Sequence, residues 1–168
     1  MLAPKTDQVV PNLIAMLADK SLTADMARHT AIQALGKIGT PAVPLLLQAL
    51  RNPEPLVRDG AANALYAMGA QASAATPALV AALDDSESFV RGMAAAALGA
   101  IGVGAQQAVP ALLRLLNDST DISLLSTGAV ALGQIVQAVH SAHLTTPHAR
   151  RPDSTQEIGT SLPNGASG

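Results

Sequence analysis

Pro11, Pro44, Pro77 and Pro110 stand 33 residues apart. The same interval separates Leu13, Leu46, Leu79 and Leu112, and again Leu17, Leu50, Leu83 and Leu116. Asp19, Asn52, Asp85 and Asp118 keep it too. A fixed period of this length narrows the fold more than any other property of the chain. It means one supersecondary unit repeated, each copy too small to bury its own apolar face and therefore stacked on the next.

Within a unit the pattern gives two helices. In "VPLLLQAL", residues 43–50, Val43, Leu46, Leu47 and Leu50 fall at i, i+3, i+4 and i+7, which is one helical face. Thr76, Leu79, Val80 and Leu83 repeat that face in the next unit. The proline suits the first turn, where backbone N–H groups have no intrahelical acceptor. Asp7, Thr40, Ser73 and Gln106, four residues before the prolines, are the candidate N-caps, with the cap there or a residue or two later. Turn residues follow as "NPEP", "DSES" and "DSTD". The second helix is clearest in "VRDGAANALYAMG", residues 57–69, where Val57, Ala61, Ala64, Leu65 and Met68 share a face. Gly69 is expected to stop it by taking the left-handed conformation of a C-terminal cap. "ALGKIG" (34–39), "ALYAMG" (64–69), "ALGAIG" (97–102) and "ALGQIV" (131–136) are then the ends of successive second helices. Their Ala and Leu pack inward, the first Gly lets a neighbouring helix approach, and the last Gly ends the helix.

Composition fits closely packed helices. Hydrophobic residues make up 49% of the 168, yet the only aromatics are Tyr66 and Phe89, so the core must be Leu, Ile, Val, Met and Ala. A net charge of −2 leaves no basic stripe for nucleic acid or an anionic membrane. Without cysteine there can be no disulfide, thiolate metal site or Cys nucleophile. The start, "MLAPKTDQVVPN", lacks a signal-peptide pattern, and the apolar run at 93–105 is too short to span a bilayer. A cytoplasmic protein is expected.

The combination "AVPxLLxxL … VRxxAAxALGxIG" resembles the short bacterial HEAT repeats named after phycobilisome lyases. The resemblance covers residues 6–136 and implies an all-α fold: a right-handed α-solenoid of four stacked helical hairpins, with the second helices lining the concave side. Ankyrin repeats would want T-P-L-H-x-A, and "TPALVAAL" at 76–83 lacks the His. Tetratricopeptide repeats would want aromatics that the chain does not have. The expected solenoid spans 6–143, with repeats near 6–39, 40–69, 73–102 and 106–143. The first unit carries an insertion in "KSLTADMAR", and the fourth has Leu125 at the Arg position and Val136 at the terminal Gly, so its helix is expected to run on to about 143. Residues 144–168, rich in Ser, Thr, Pro and Gly, read as a disordered tail. At the other end the chain enters repeat one almost directly. Either the first helix tolerates exposure or the sequence is a piece of a longer array.

No catalytic constellation emerges. The turn acids and Arg28, Arg58 and Arg91 are expected to satisfy turn carbonyls or to pair between neighbouring units as a ladder. His140, His143 and His148 form H-x2-H-x4-H, but no carboxylate or Cys completes a metal set, and surface histidines are the expectation. "GVGAQQ" at 102–107 follows a helix rather than a strand, so it is an inter-repeat turn and not a dinucleotide fingerprint. HEAT proteins of the deoxyhypusine hydroxylase type hold iron with His-Glu pairs, and none of the four histidines here is followed by Glu. Neither metal nor cofactor is expected.

What remains is surface. The x positions of the second helices are His29, Thr30, Gln33 and Lys37, then Asp59, Gly60, Asn63 and Ala67. They continue as Gly92, Met93, Ala96 and Ala100, and as Ser126, Thr127, Val130 and Gln134. If the resemblance holds, they line a concave groove that is polar at one end and small and apolar in its second half. The expected function is a non-catalytic scaffold or adaptor, acting as a monomer and holding a protein or peptide there, with Met93 at the centre. The alternatives are a phycobilin lyase-like or bilin-protein chaperone subunit, which the resemblance suggests, and a structural fragment of a longer repeat array.

Overall fold

The computed structural model describes residues 6–19, 21 and 24–145, and among them there is helix and no strand. The helices are α1 (Thr6–Leu17), α2 (Ala24–Ile38), α3 (Val43–Ala49), α4 (Pro55–Met68), α5 (Thr76–Ala82), α6 (Ser88–Ile101), α7 (Val109–Asp118) and α8 (Ile122–Thr145). They pair as hairpins, α1 with α2, α3 with α4, α5 with α6 and α7 with α8, and the second helices lie side by side in the order α2, α4, α6, α8. The chain is thus an α-solenoid, with its core running along the stack rather than sitting in one centre.

That core is the periodic set. Leu46, Leu79 and Leu112 on the first helices and Leu35, Leu65 and Leu98 on the second have no exposed surface. Between them lie Ala61, Ala64, Ala94 and Ala97, also fully buried. With so little aromatic volume available, alanine lets the helices come close enough to exclude water. The glycine in "ALGxIG" does the same. A Cβ at Gly36 would lie 2.9 Å from the Cβ of Ala67, and one at Gly99 would lie 2.9 Å from the Cα of Ala131.

The unit boundaries differ from the capping scheme. Each first helix from α3 onward is entered through a 3-10 segment: Thr40–Ala42, Gly69–Ala75 and Gly102–Ala108. Thr40, Ser73 and Gln106 fall inside these segments, and no side chain caps the helix that follows. The 3-10 turns already occupy the N–H groups that a cap would serve, and Pro44, Pro77 and Pro110 remove one more donor. The glycines that end α2, α4 and α6 also differ from expectation. Gly69 has φ 56° and ψ −131°, and Gly102 has φ 67° and ψ −122°. That is the mirror image of the extended region, closed to side chains more strictly than the left-handed helical region. "GVGAQQ" lies in the 3-10 segment after α6, as an inter-repeat turn.

The first-unit insertion falls between α1 and α2, where Lys20, Leu22 and Thr23 lie outside the described residues. α8 runs to Thr145, slightly past the expected end, and Ala138 meets Gly102 of the preceding unit. The expected tail lies outside the described residues from 146 onward, and His148 with it. By length and composition, Ser88–Asp118 and Ile122–Leu144 would suffice to cross a membrane. The first of these folds back as α6, a 3-10 turn and α7, so it is not one rod.

Candidate functional site

The loops between paired helices form a structural edge. Arg58 donates through Nε and Nη2 to the two carboxylate oxygens of Asp85 in the next unit, both at 2.7 Å. Its Nη1 also reaches the carbonyls of Asn52 and Pro53 in its own turn. Both partners are nearly buried, and the guanidinium hydrogen bond holds the Asp85 carboxyl below the usual carboxylate range. This is one rung of the anticipated ladder.

The other rungs are missing, each for a local reason. The repeat register offers Arg28 only the uncharged Asn52; it pairs instead with Asp25 of its own helix and donates to the Asp19 carbonyl, while its buried Nε has no partner. Arg91 binds the carbonyls of Asp85 and Ser86 in its own turn. Its counterpart Asp118 is still in helix, because α7 runs longer than α3 and α5, and so its carboxylate is not presented in a turn. Asp121 takes over the turn role and accepts from the N–H groups of Ser123 and Leu124. An exposed pair, Arg114–Asp84 at 2.8 Å, links α7 to the preceding unit.

On the second helices, the surface predicted from sequence divides in two. A groove of about 470 Å³ lies between the N-terminal halves of α6 and α8, with Phe89, Met93, Ala96, Leu124 and Thr127 among its walls. A smaller hollow of about 200 Å³ adjoins it, lined by Tyr66, Ala96, Thr127, Val130 and Gln134 among others. Ala96 and Thr127 belong to both, so the two form one continuous surface. Seven of the anticipated residues, Gly92, Met93, Ala96, Ser126, Thr127, Val130 and Gln134, therefore come together. His29, Gln33, Lys37, Asp59, Asn63 and Ala100 line neither hollow.

Gly60 is a correction. It is buried, and a Cβ there would strike the Leu17 side chain at 2.9 Å, so it serves packing between the first two units. Ala67 likewise packs on Gly36. Asp59 is partly enclosed, and desolvation raises its carboxyl pKa against the opposing pull of Arg28.

Two wall residues had no place in the sequence pattern: Tyr66 and Phe89. They are the chain's only aromatics, and each is nearly half exposed. Tyr66 fills the slot that is Gly36 and Gly99 in the neighbouring units. The signal that could have found them was their rarity.

His140 and His143 are exposed on α8, and the His143 ring Nδ1 lies 2.8 Å from the Val139 carbonyl. Among the described residues, no three His, Asp or Glu side chains cluster as metal ligands would.

A solved engineered protein shares 23% identity with a TM-score of 0.50, covering 80% of this chain and 68% of that one. A designed armadillo repeat protein gives 22% and 0.51, covering 76% and 64%. Both likenesses concern the fold alone. Deoxyhypusine hydroxylase of Candida albicans is 49% identical over 53 residues, which is 31% of this chain and 16% of that protein. The model of the family described as HEAT repeats matches residues 10–99, 43–133 and 76–151. Its overlapping matches step by 33 residues, the interval of the prolines, and the chain belongs to the HEAT-repeat family.

Proposed function

We propose that this chain is a non-catalytic scaffold or adaptor that holds a protein or peptide segment in the groove between α6 and α8. The observation that carries this reading is the placement of its two aromatics. A chain that uses none in its core sets both, exposed, on one hollow surface beside Met93, Ala96 and Val130. Aromatic and Met side chains concentrate at protein interfaces, the aromatics because they bury much area at little conformational cost and Met because its flexible thioether chain adapts to a partner's surface.

The test is a capture experiment with wild type and a Met93→Asp, Val130→Asp variant, both sites being on the groove surface and outside the fully buried core. A partner held by wild type and lost by the folded variant supports the reading. A partner held equally by both overturns it. Adding bilins as competitors tests the alternative that the resemblance suggested.

The segment shared with deoxyhypusine hydroxylase raises a second, catalytic reading. It rests on 53 residues of repeat sequence, and the His-Glu pairs expected of that activity are absent from this sequence. A hydroxylation assay on iron-loaded protein would test it.

A further inference from the structure

Phe89 and Asp121 stand at the same end of the groove, at the starts of α6 and α8, and both line its larger hollow. Of the residues lining either hollow, Asp121 alone is charged at neutral pH. Its Oδ1 caps α8 by accepting from the N–H groups of Ser123 and Leu124. That takes one oxygen, and among the described residues the carboxylate has no ion pair. The basic side chains of the neighbouring turns are committed elsewhere. Arg58 holds Asp85, Arg91 binds carbonyls of its own turn, and Arg114 pairs with Asp84. Between Arg91 and Arg150 the sequence has no Lys or Arg besides Arg114.

The other walls are apolar, or polar without charge. Phe89, nearly half exposed, shares the hollow with the carboxylate, and one lysine or arginine side chain can satisfy both. Its charge meets Asp121, while its alkyl stem or guanidinium plane lies on the ring. An anion would face Asp121 with nothing to neutralise it, and the positive end of the α8 dipole, which could have drawn one, is already met by the cap. Away from this end the surface continues through Met93, Ala96 and Val130 and finishes uncharged at Tyr66 and Gln134. Asp121 to Gln134 is about 20 Å at the helical rise, a span that about six extended residues cover.

On the reading that this groove is the binding surface, we infer that its occupant is a short apolar peptide segment with a lysine or arginine at one end, the cation seated between Asp121 and Phe89. Charge complementarity fixes the sign and the end. The unpaired carboxylate calls for one cation at the start of the groove, and the uncharged remainder calls for apolar side chains on Met93, Ala96 and Val130.

A random peptide library displayed on phage, selected on the full wild-type chain and depleted on the Met93→Asp, Val130→Asp variant, returns peptides that depend on the groove. Fluorescence anisotropy of the synthesised peptides then compares wild type with Asp121→Asn. Asparagine keeps the acceptor that caps α8, so this variant should stay folded, which circular dichroism checks. The selected peptides should share an apolar run ending in Lys or Arg. Asp121→Asn should weaken them roughly two- to fivefold at low salt, as for an exposed ion pair, and hardly at all at high salt. Replacing the peptide's cation by glutamine should cost the same, with no further loss on combining the two changes. Groove-dependent peptides without a basic residue, or bound equally by Asp121→Asn at low salt, overturn this inference and leave the groove reading standing. A selection that returns no groove-dependent peptide overturns the groove reading and this inference with it. A wild type that sediments as a dimer, when the Met93→Asp, Val130→Asp variant is a folded monomer, puts a second copy in the groove and also overturns it.

Discussion

Gly99 and Gly133 hold the same slot of the repeat in different surroundings, so the same substitution should stabilise the chain at Gly133 and not at Gly99. Alanine in place of glycine inside a helix gains ~1 kcal/mol from lower chain entropy and better propensity. At Gly133 the new methyl meets nothing within 4 Å, so that gain should appear whole. At Gly99 it would lie 2.9 Å from the Cα of Ala131 and 3.2 Å from its Cβ, and against Oε1 of Gln134. The glutamine can swing away. A backbone Cα cannot, so α8 must lift from α6 along the most extensive helix contact of the stack. Overpacking of this kind costs ~1–3 kcal/mol, which cancels or exceeds the gain. Gly133→Ala should therefore raise the melting temperature by ~2–4 °C, whereas Gly99→Ala should leave it unchanged or lower it. Urea and thermal melts followed by circular dichroism would measure both. Equal stabilisation at the two sites would refute the close approach of α6 and α8.

Three other outcomes follow from the same packing. Asp85→Asn should cost ~1.5–3 kcal/mol at neutral pH by breaking the bidentate bond to Arg58. Because that bond depresses the Asp85 pKa, its contribution is present above the unfolded carboxylate range and fades as pH falls through the lower folded value. The gap between wild type and variant in urea melts should accordingly close in strong acid. Asn52→Asp should supply the rung that Arg28 lacks and raise stability by ~1 kcal/mol at pH 7, a gain that the same acid titration should remove. Leu98→Ala, at a fully buried position, should lose ~2–5 kcal/mol by chemical denaturation.

The repeat was legible because its signal is redundant. The leucines, prolines, turn acids and glycines all keep one interval, and each has a separate physical reason to sit where it does. The ladder was legible as a possibility, but its occupancy was not. Whether a rung forms depends on Asn52 standing for an acid and on α7 extending through Asp118, and both are local departures from the pattern. The helix entries were misread because Thr40 and Ser73 are good capping residues in isolation. Tertiary stacking favours a 3-10 turn that satisfies the same N–H groups. For the groove, pattern reasoning found Gly92, Met93, Ala96, Ser126, Thr127, Val130 and Gln134 by asking which slots face neither core nor neighbour. It missed Phe89 and Tyr66, because one lies ahead of the repeat motif and the other replaces a glycine within it. It included Gly60, because a slot vacant in one unit is filled by Leu17 in another.

The proposed function turns on whether the α6–α8 groove binds a protein or peptide segment. A photo-crosslinking residue at Ala96, which belongs to both hollows, reports on that surface directly. The same residue at Gln48, on the first-helix side, serves as the control. The account predicts, in lysate from the source organism, a discrete adduct from the Ala96 position and none from Gln48. Adducts from Gln48 alone, or from neither position, would contradict it.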